Sequence, residues 1–304
     1  MSFLQTQMNG VEIFTGENDL LKFTIAPAAG GKILSIYNKR LQKEFLWTNK
    51  NLNIAVYPAG TDYDSHFFGG IDELIPNDIP ENINAVEYPD HGELWTTSLE
   101  HKLQKNQISV FGDLKLSGLF YKKTVRLDDQ DPVIYLDYII RNDSGHERNF
   151  LWKLHAALAI EAGDYLVSSA RTAQIADPAY SRFSDAAEFQ WPLIENVNAS
   201  VVPENNGSID FFYLSDVARP EMKMLMDNQK YLFSYQYDEK IFPYQWYFAS
   251  YGGFMKHYTA VLEPCSSKTM SVNESMLKSQ CTILKPGQQI ETTVRIWAGD
   301  NLQT

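Results

Sequence analysis

Residues 118–160 read GLFYKKTVRL-DDQDP-VIYLDYIIRN-DSGHE-RNFLWKLHAALAI. Three runs rich in β-branched and aromatic residues are separated by five-residue connectors of Asp, Ser, Gly and Pro. That pattern predicts antiparallel strands joined by short hairpin turns. The rest of the chain repeats it. Strand signals open the sequence at VEIFTG, LLKFTIA and KILSIYN. They continue at QISVFG, DFFYLS, EMKMLMD, YLFSYQYD, YQWYFAS, HYTAVLEP and QQIETTVRIWAG. Long helical periodicity is scarce, with short helical turns expected near AYSRFSDAA and KTMSVNESMLKS. No linker, repeat or low-complexity tract divides the 304 residues. The expectation is all-β: one domain over residues 1–304, built as a large antiparallel β-sandwich with two sheets face to face. Two irregular stretches, roughly 50–90 and 170–208, are long for structureless loops and are therefore candidate carriers of function.

Charge narrows the class of partner. The 26 Lys and Arg stand against 38 Asp and Glu, a formal net charge of −12. This argues against nucleic acid and anionic membrane as the main partners. Two cysteines, Cys265 and Cys281, are too few for a disulfide framework or a zinc site and are expected as free thiols. MSFLQTQMNGVEIF lacks a basic start followed by an apolar run, and no apolar stretch reaches membrane-spanning length. The expectation is a cytoplasmic protein, a monomer or homodimer, with no cofactor and no metal.

Three polar residues stand in strand or strand-end contexts. His91 lies in YPDHGELW, after a proline that favours extended geometry and before a glycine that permits close backbone approach. His155 lies in NFLWKLHAALAI, where alternation puts Leu151, Lys153, His155 and Ala157 on one face and Phe150, Trp152, Leu154 and Ala156 on the other. Glu263 ends the run TAVL before a proline, where burial would raise its pKa and make it a competent base. Each has an ordinary reading of its own: a turn residue, a satisfied core histidine and a solvated strand-end carboxylate.

Taken in order, FFGGIDELIPN, YPDHGELW, FLWKLHAALAI and YTAVLEPCSS resemble the galactose mutarotase (aldose 1-epimerase) superfamily across roughly residues 65–265. The resemblance implies a β-supersandwich with a sugar cleft on one sheet. It implies catalytic roles as well. Glu263 takes the proton of the anomeric hydroxyl, His155 protonates the ring oxygen, and His91 steadies the developing charge. Ring opening, rotation and closure then interconvert the anomers of a free sugar, and because no basic phosphate clamp is visible in the sequence an unphosphorylated sugar is expected.

The sequence departs from that family in lacking an arginine ahead of the first histidine, where it reads NIAVYPAGTDYDSHFFGG. Tyr63, Asp62 and His66 are candidates for the space. The second histidine is followed by AAL rather than by the family's Tyr-Phe context. Sugar-binding candidates from neighbouring segments are Asp72, Glu73, Trp191, Gln245 and Trp246, with Gln190 beside Trp191. Three other readings stay open. The chain could be a carbohydrate-binding protein of the same fold without catalysis. A metal enzyme would draw on His91, Glu93 and His155, without the close His-x-His pairing such sites use. A glycosidase needs two placed carboxylates, and Glu263 alone has a clear claim.

Overall fold

The structure, a computed structural model, describes residues 1–183 and 188–301. Strands hold about 51% of the chain and helices about 5%, an all-β composition. Among the described residues the strands form one 12-stranded and one 8-stranded sheet, with three two-stranded ribbons at the margins. The ladders are antiparallel, as the turn chemistry predicts. The two sheets pack face to face over an apolar core that includes Phe14, Ile71, Trp152, Leu154, Leu136 and Val294, all fully buried.

The 118–160 segment shows both what local pattern fixes and what it leaves open. Leu119–Leu127 and Val133–Asn142 pair as a hairpin across DDQDP, in the 8-stranded sheet. DSGHE does not close a second hairpin. Asn142 Nδ2 bonds the carbonyls of His146 and Leu284, both at 2.8 Å, and its Oδ1 accepts from Ser144 N at 3.0 Å. The chain is thereby held in a corner. It forms a short ribbon, Arg148–Phe150 with Thr282–Leu284, and then crosses into the other sheet as Lys153–Leu158. Both continuations suit the same turn residues, so only the sheet that receives the next strand distinguishes them.

Lys153–Leu158 lies at the centre of the 12-stranded sheet, between Ile71–Leu74 and Tyr258–Cys265, with Tyr244–Tyr251 one strand further on. The alternation read from sequence holds: Phe150, Trp152, Leu154 and Ala156 enter the intersheet core. Lys153, His155 and Ala157 turn to the opposite face and are also buried, because the irregular stretch near 50–90 folds over that face. The short helix within KTMSVNESMLKS forms over Val272–Leu277, capped by Ser271 Oγ accepting from Glu274 N at 3.1 Å. Near AYSRFSDAA a single 3₁₀ turn forms at Pro178–Tyr180, and residues 184–187 lie outside the described residues. The edge strand Ser2–Met8 carries no sequence signal because nearly all its residues are exposed and impose no alternation.

Candidate active site

The site starts from a turn. YPDHGELW places His91 at φ +57° and Gly92 at φ +75°. A Cβ on Gly92 would sit 2.3 Å from the Ile75 carbonyl oxygen, so only glycine lets the turn close against that strand end. His91 N donates to the Asp78 carbonyl at 2.6 Å, and Glu93 N to that of Ile75 at 3.0 Å. The turn is thus pinned to the segment that follows Ile71–Leu74. The His91 ring is carried inward, where its face stacks on Tyr63, with centroids 4.0 Å apart and planes at 11°.

His155 and Glu263 come from adjacent central strands and share the face that His91 meets. All three line one cavity of about 270 Å³, at the small end of ligand sites. Tyr63, Phe67, Phe211, Phe248 and Phe254 form much of its apolar wall. Asp64, Asp78, Asp90, Asp177 and Lys153 add charge. No arginine lines it among the described residues.

Lys153, which sequence reasoning left as a strand residue, is the electrostatic centre. Its Nζ lies 2.6 Å from Asp78 Oδ1 and 2.7 Å from Glu263 Oε2, and 4.5 Å from the Trp246 ring centroid. Burial works against its charge, but Asp78 and Glu263 outweigh burial and hold its pKa above the ordinary lysine value. It is therefore a fixed cation and not a nucleophilic amine. Burial raises the Glu263 pKa above the glutamate norm, with Lys153 pulling the other way.

The two histidines are driven apart. Burial and the nearby Lys153, His91 and Lys32 charges push His155 well below the histidine norm, so it is neutral. Burial also opposes charge on His91. Asp90, whose Oδ1 is 3.0 Å from His91 Nδ1, and the Asp78 carboxylate override it, and the His91 pKa is raised. A histidine with a raised pKa, a histidine with a strongly lowered one and a carboxylate with an elevated pKa thus face one space, an arrangement suited to moving a proton between oxygens.

The other sugar-binding expectations need correction. Asp72 and Glu73 are consecutive, so they point to opposite faces. Asp72 sits behind the cavity, its Oδ2 taken by Lys32 Nζ at 2.7 Å and the Tyr63 hydroxyl at 2.9 Å. Glu73 enters the intersheet core and pairs with Lys123 Nζ at 2.7 Å. Gln245 and Trp246 divide in the same way. Gln245 is fully buried on the core side, bonded to Ser168, Tyr237 and the Glu221 carbonyl. Trp246 is on the cavity face but fully buried beneath Lys153, its Nε1 bonded to the Ser267 carbonyl at 3.1 Å. Trp191 packs on Phe212 at 6.0 Å against the main core, and neither it nor Gln190 is among the lining residues.

Of Tyr63, Asp62 and His66, only Tyr63 lines the cavity. Asp62 bonds Ser65 at the surface, and His66 Nδ1 lies 2.8 Å from the Asp62 carbonyl oxygen. Asp78 and Lys153 carried no sequence signal because they are 75 positions apart and meet only through the fold. The metal set of His91, Glu93 and His155 does not assemble. The Glu93 carboxylate is occupied by the backbone N–H groups of Leu116 and Ser117, at 2.7 and 2.9 Å. Asp64, Asp90 and His91 bring donor atoms within 4.8 Å of one another, the closest approach to a cation-binding group among the described residues.

No protein-family model and no curated protein matches this sequence. Solved structures do match the fold. A galactose mutarotase-like protein from Clostridium acetobutylicum superposes with a TM-score of 0.73 at 14% identity, over 98% of each chain. A galactose mutarotase related enzyme from Lactobacillus acidophilus gives 0.69 at 13% identity, over 96% of this chain and 98% of that one. The Slr1438 protein of Synechocystis sp. PCC 6803 gives 0.71 at 13% identity, over 97% of this chain and 96% of that one.

Proposed function

We propose that this chain, whose fold is that of the galactose mutarotase-like proteins, is an aldose 1-epimerase-type isomerase that interconverts the anomers of a free, unphosphorylated sugar. The observation that carries the reading is the meeting of His91, His155 and Glu263 in one cavity with unequal proton affinities. Glu263 takes the proton from the anomeric hydroxyl. Burial raises its pKa, which makes it a stronger base than an exposed glutamate. As Glu263 gains a proton, Lys153 keeps its second carboxylate, Asp78, so no cation is left uncompensated.

The donor to the ring oxygen is His91, whose pKa the neighbouring Asp90 and Asp78 raise against burial. The sequence expectation gave that role to His155, but a neutral buried imidazole is a poor acid. Five carboxylates line the cavity, and its one lysine already binds two of them. A phosphate would enter against that charge, and the remaining basic group, His91, is already paired with Asp90. Polarimetry tests the reading on a panel of neutral and phosphorylated free sugars. Neutral aldoses should be accelerated above buffer, and their phosphates not.

The activity should be bell-shaped in pH. The rising limb reports deprotonation of Glu263, above the ordinary 4.5. The falling limb reports deprotonation of His91, above the ordinary 6.5. His91 has a raised folded-state pKa, so its contribution to stability is complete below 6.5 and is lost as pH rises through the folded value. A kcat/KM profile still climbing where free histidine is fully neutral would remove His91 from the donor role.

A second reading, a carbohydrate-binding protein of the same fold without catalysis, draws on the missing arginine and on the tight Lys153–Glu263 pair. Measured binding without acceleration of mutarotation separates it from the first.

A further inference from the structure

Tyr63 carries one hydroxyl proton and faces two partners. Its oxygen is 2.9 Å from Asp72 Oδ2 and 3.5 Å from His155 Nδ1. Lys32 Nζ reaches the same Asp72 oxygen at 2.7 Å, and both Lys32 and Asp72 are almost wholly buried. A carboxylate paired with an ammonium is a pure acceptor, so the Tyr63 proton points to Asp72. The lone pairs of the hydroxyl are what remains for His155. Two acceptors do not face each other in a buried site without cost, so Nδ1 must carry the hydrogen.

The neutral ring then has a bare Nε2. His155 lines the cavity, and no hydrogen bond engages its Nε2 among the described residues. Tyr63 also stacks on His91 and meets Trp95 edge-on at 5.1 Å, so its ring is clamped from two sides.

We propose that Tyr63 is a positioning residue: the Lys32–Asp72–Tyr63 array sets the tautomer of His155, so that its Nε2 faces the cavity as a hydrogen-bond acceptor for a ligand hydroxyl. As applied to catalysis this rests on the mutarotase reading. His155 would orient a sugar hydroxyl, while Glu263 and His91 exchange protons with O1 and the ring oxygen. The tautomer itself does not depend on that reading. It has a physical consequence: His155 adds an acceptor to a cavity already lined by five carboxylates, while the donors Lys153 and His91 are each engaged by a carboxylate. It is therefore matched to a polyol and mismatched to a ligand that offers only acceptors.

The test is long-range proton–nitrogen NMR on the full chain with labelled histidine. In wild-type protein near neutral pH, His155 Nδ1 should show the pyrrole-type shift and Nε2 the pyridine-type shift. In Tyr63→Phe the two nitrogens should move toward each other as the preference is lost. His155→Gln assigns the signals. A wild-type His155 with its proton on Nε2, or a doubly protonated ring, overturns the proposal. So does a Tyr63→Phe spectrum unchanged from wild type. If a sugar is turned over, Tyr63→Phe should lower kcat by up to about 10²-fold, with KM little changed, as for a small misplacement of a reacting group. A loss confined to KM counts against the positioning role. Failure of wild-type protein to accelerate any mutarotation sinks the mutarotase reading and leaves the NMR result to decide the tautomer.

Discussion

Glu263→Gln is expected to remove nearly all mutarotation activity, by about 10²–10⁴-fold, while sugar binding is largely kept. The amide has the size and one acceptor oxygen of the carboxylate but cannot take the anomeric proton. Lys153 keeps Asp78 at 2.6 Å, so the substitution does not strand a buried ammonium, and folding should be little affected. Rate and binding are therefore separable in this variant. Kinetics by polarimetry with binding by calorimetry checks it. Retention of more than a tenth of wild-type kcat would mean that another group, His155 Nε2 foremost, accepts the proton.

The second large effect lies away from the cavity. Lys123 and Glu73 are fully buried between the sheets, 2.7 Å apart, and the Tyr138 hydroxyl donates to Glu73 at 2.6 Å. Lys123→Met leaves a carboxylate in the core with one neutral donor. Stranding a buried charge in this way costs about 3–5 kcal/mol. Glu73→Leu combined with Lys123→Met removes both charges and should recover most of that loss, because a well-packed apolar pair often equals a buried ion pair. Urea midpoints of the single and double variants check it. A single variant within about 1 kcal/mol of wild type would contradict the stranded-charge account.

The same pair shows where sequence reading stopped. Alternation placed every residue of 150–157 on its correct face, because that strand sits between an apolar core and a polar cavity. The all-β class followed from strand runs and turn residues that local chemistry dictates. His91, His155 and Glu263 were legible because each lies in an ordered motif. Asp72 with Glu73, and Gln245 with Trp246, were each taken as neighbours in one cleft. A strand sends consecutive side chains to opposite faces, so one member of each pair had to leave. Within those segments nothing marks which face will be covered by the 50–90 stretch. Lys153 was invisible as a hub for a related reason. A lysine in an apolar strand gives no sign of its partners when they lie far along the chain, and here both are carboxylates brought in by other strands and loops. The absence of the expected arginine was visible. Tyr63, Asp62 and His66 were equal candidates for that stretch, and the packing of the Tyr63 ring on His91 is what brings it to the cavity.

The most direct test of the central claim is anomeric exchange measured by NMR on free neutral aldoses. Magnetisation is transferred between the α and β anomeric protons in the presence of wild-type protein and of Glu263→Gln. The account predicts exchange well above the buffer rate for at least one sugar with wild-type protein, and exchange close to buffer with the variant at the same occupancy. A sugar that demonstrably binds in this cavity, yet exchanges its anomers no faster with wild-type protein than in buffer, would contradict it.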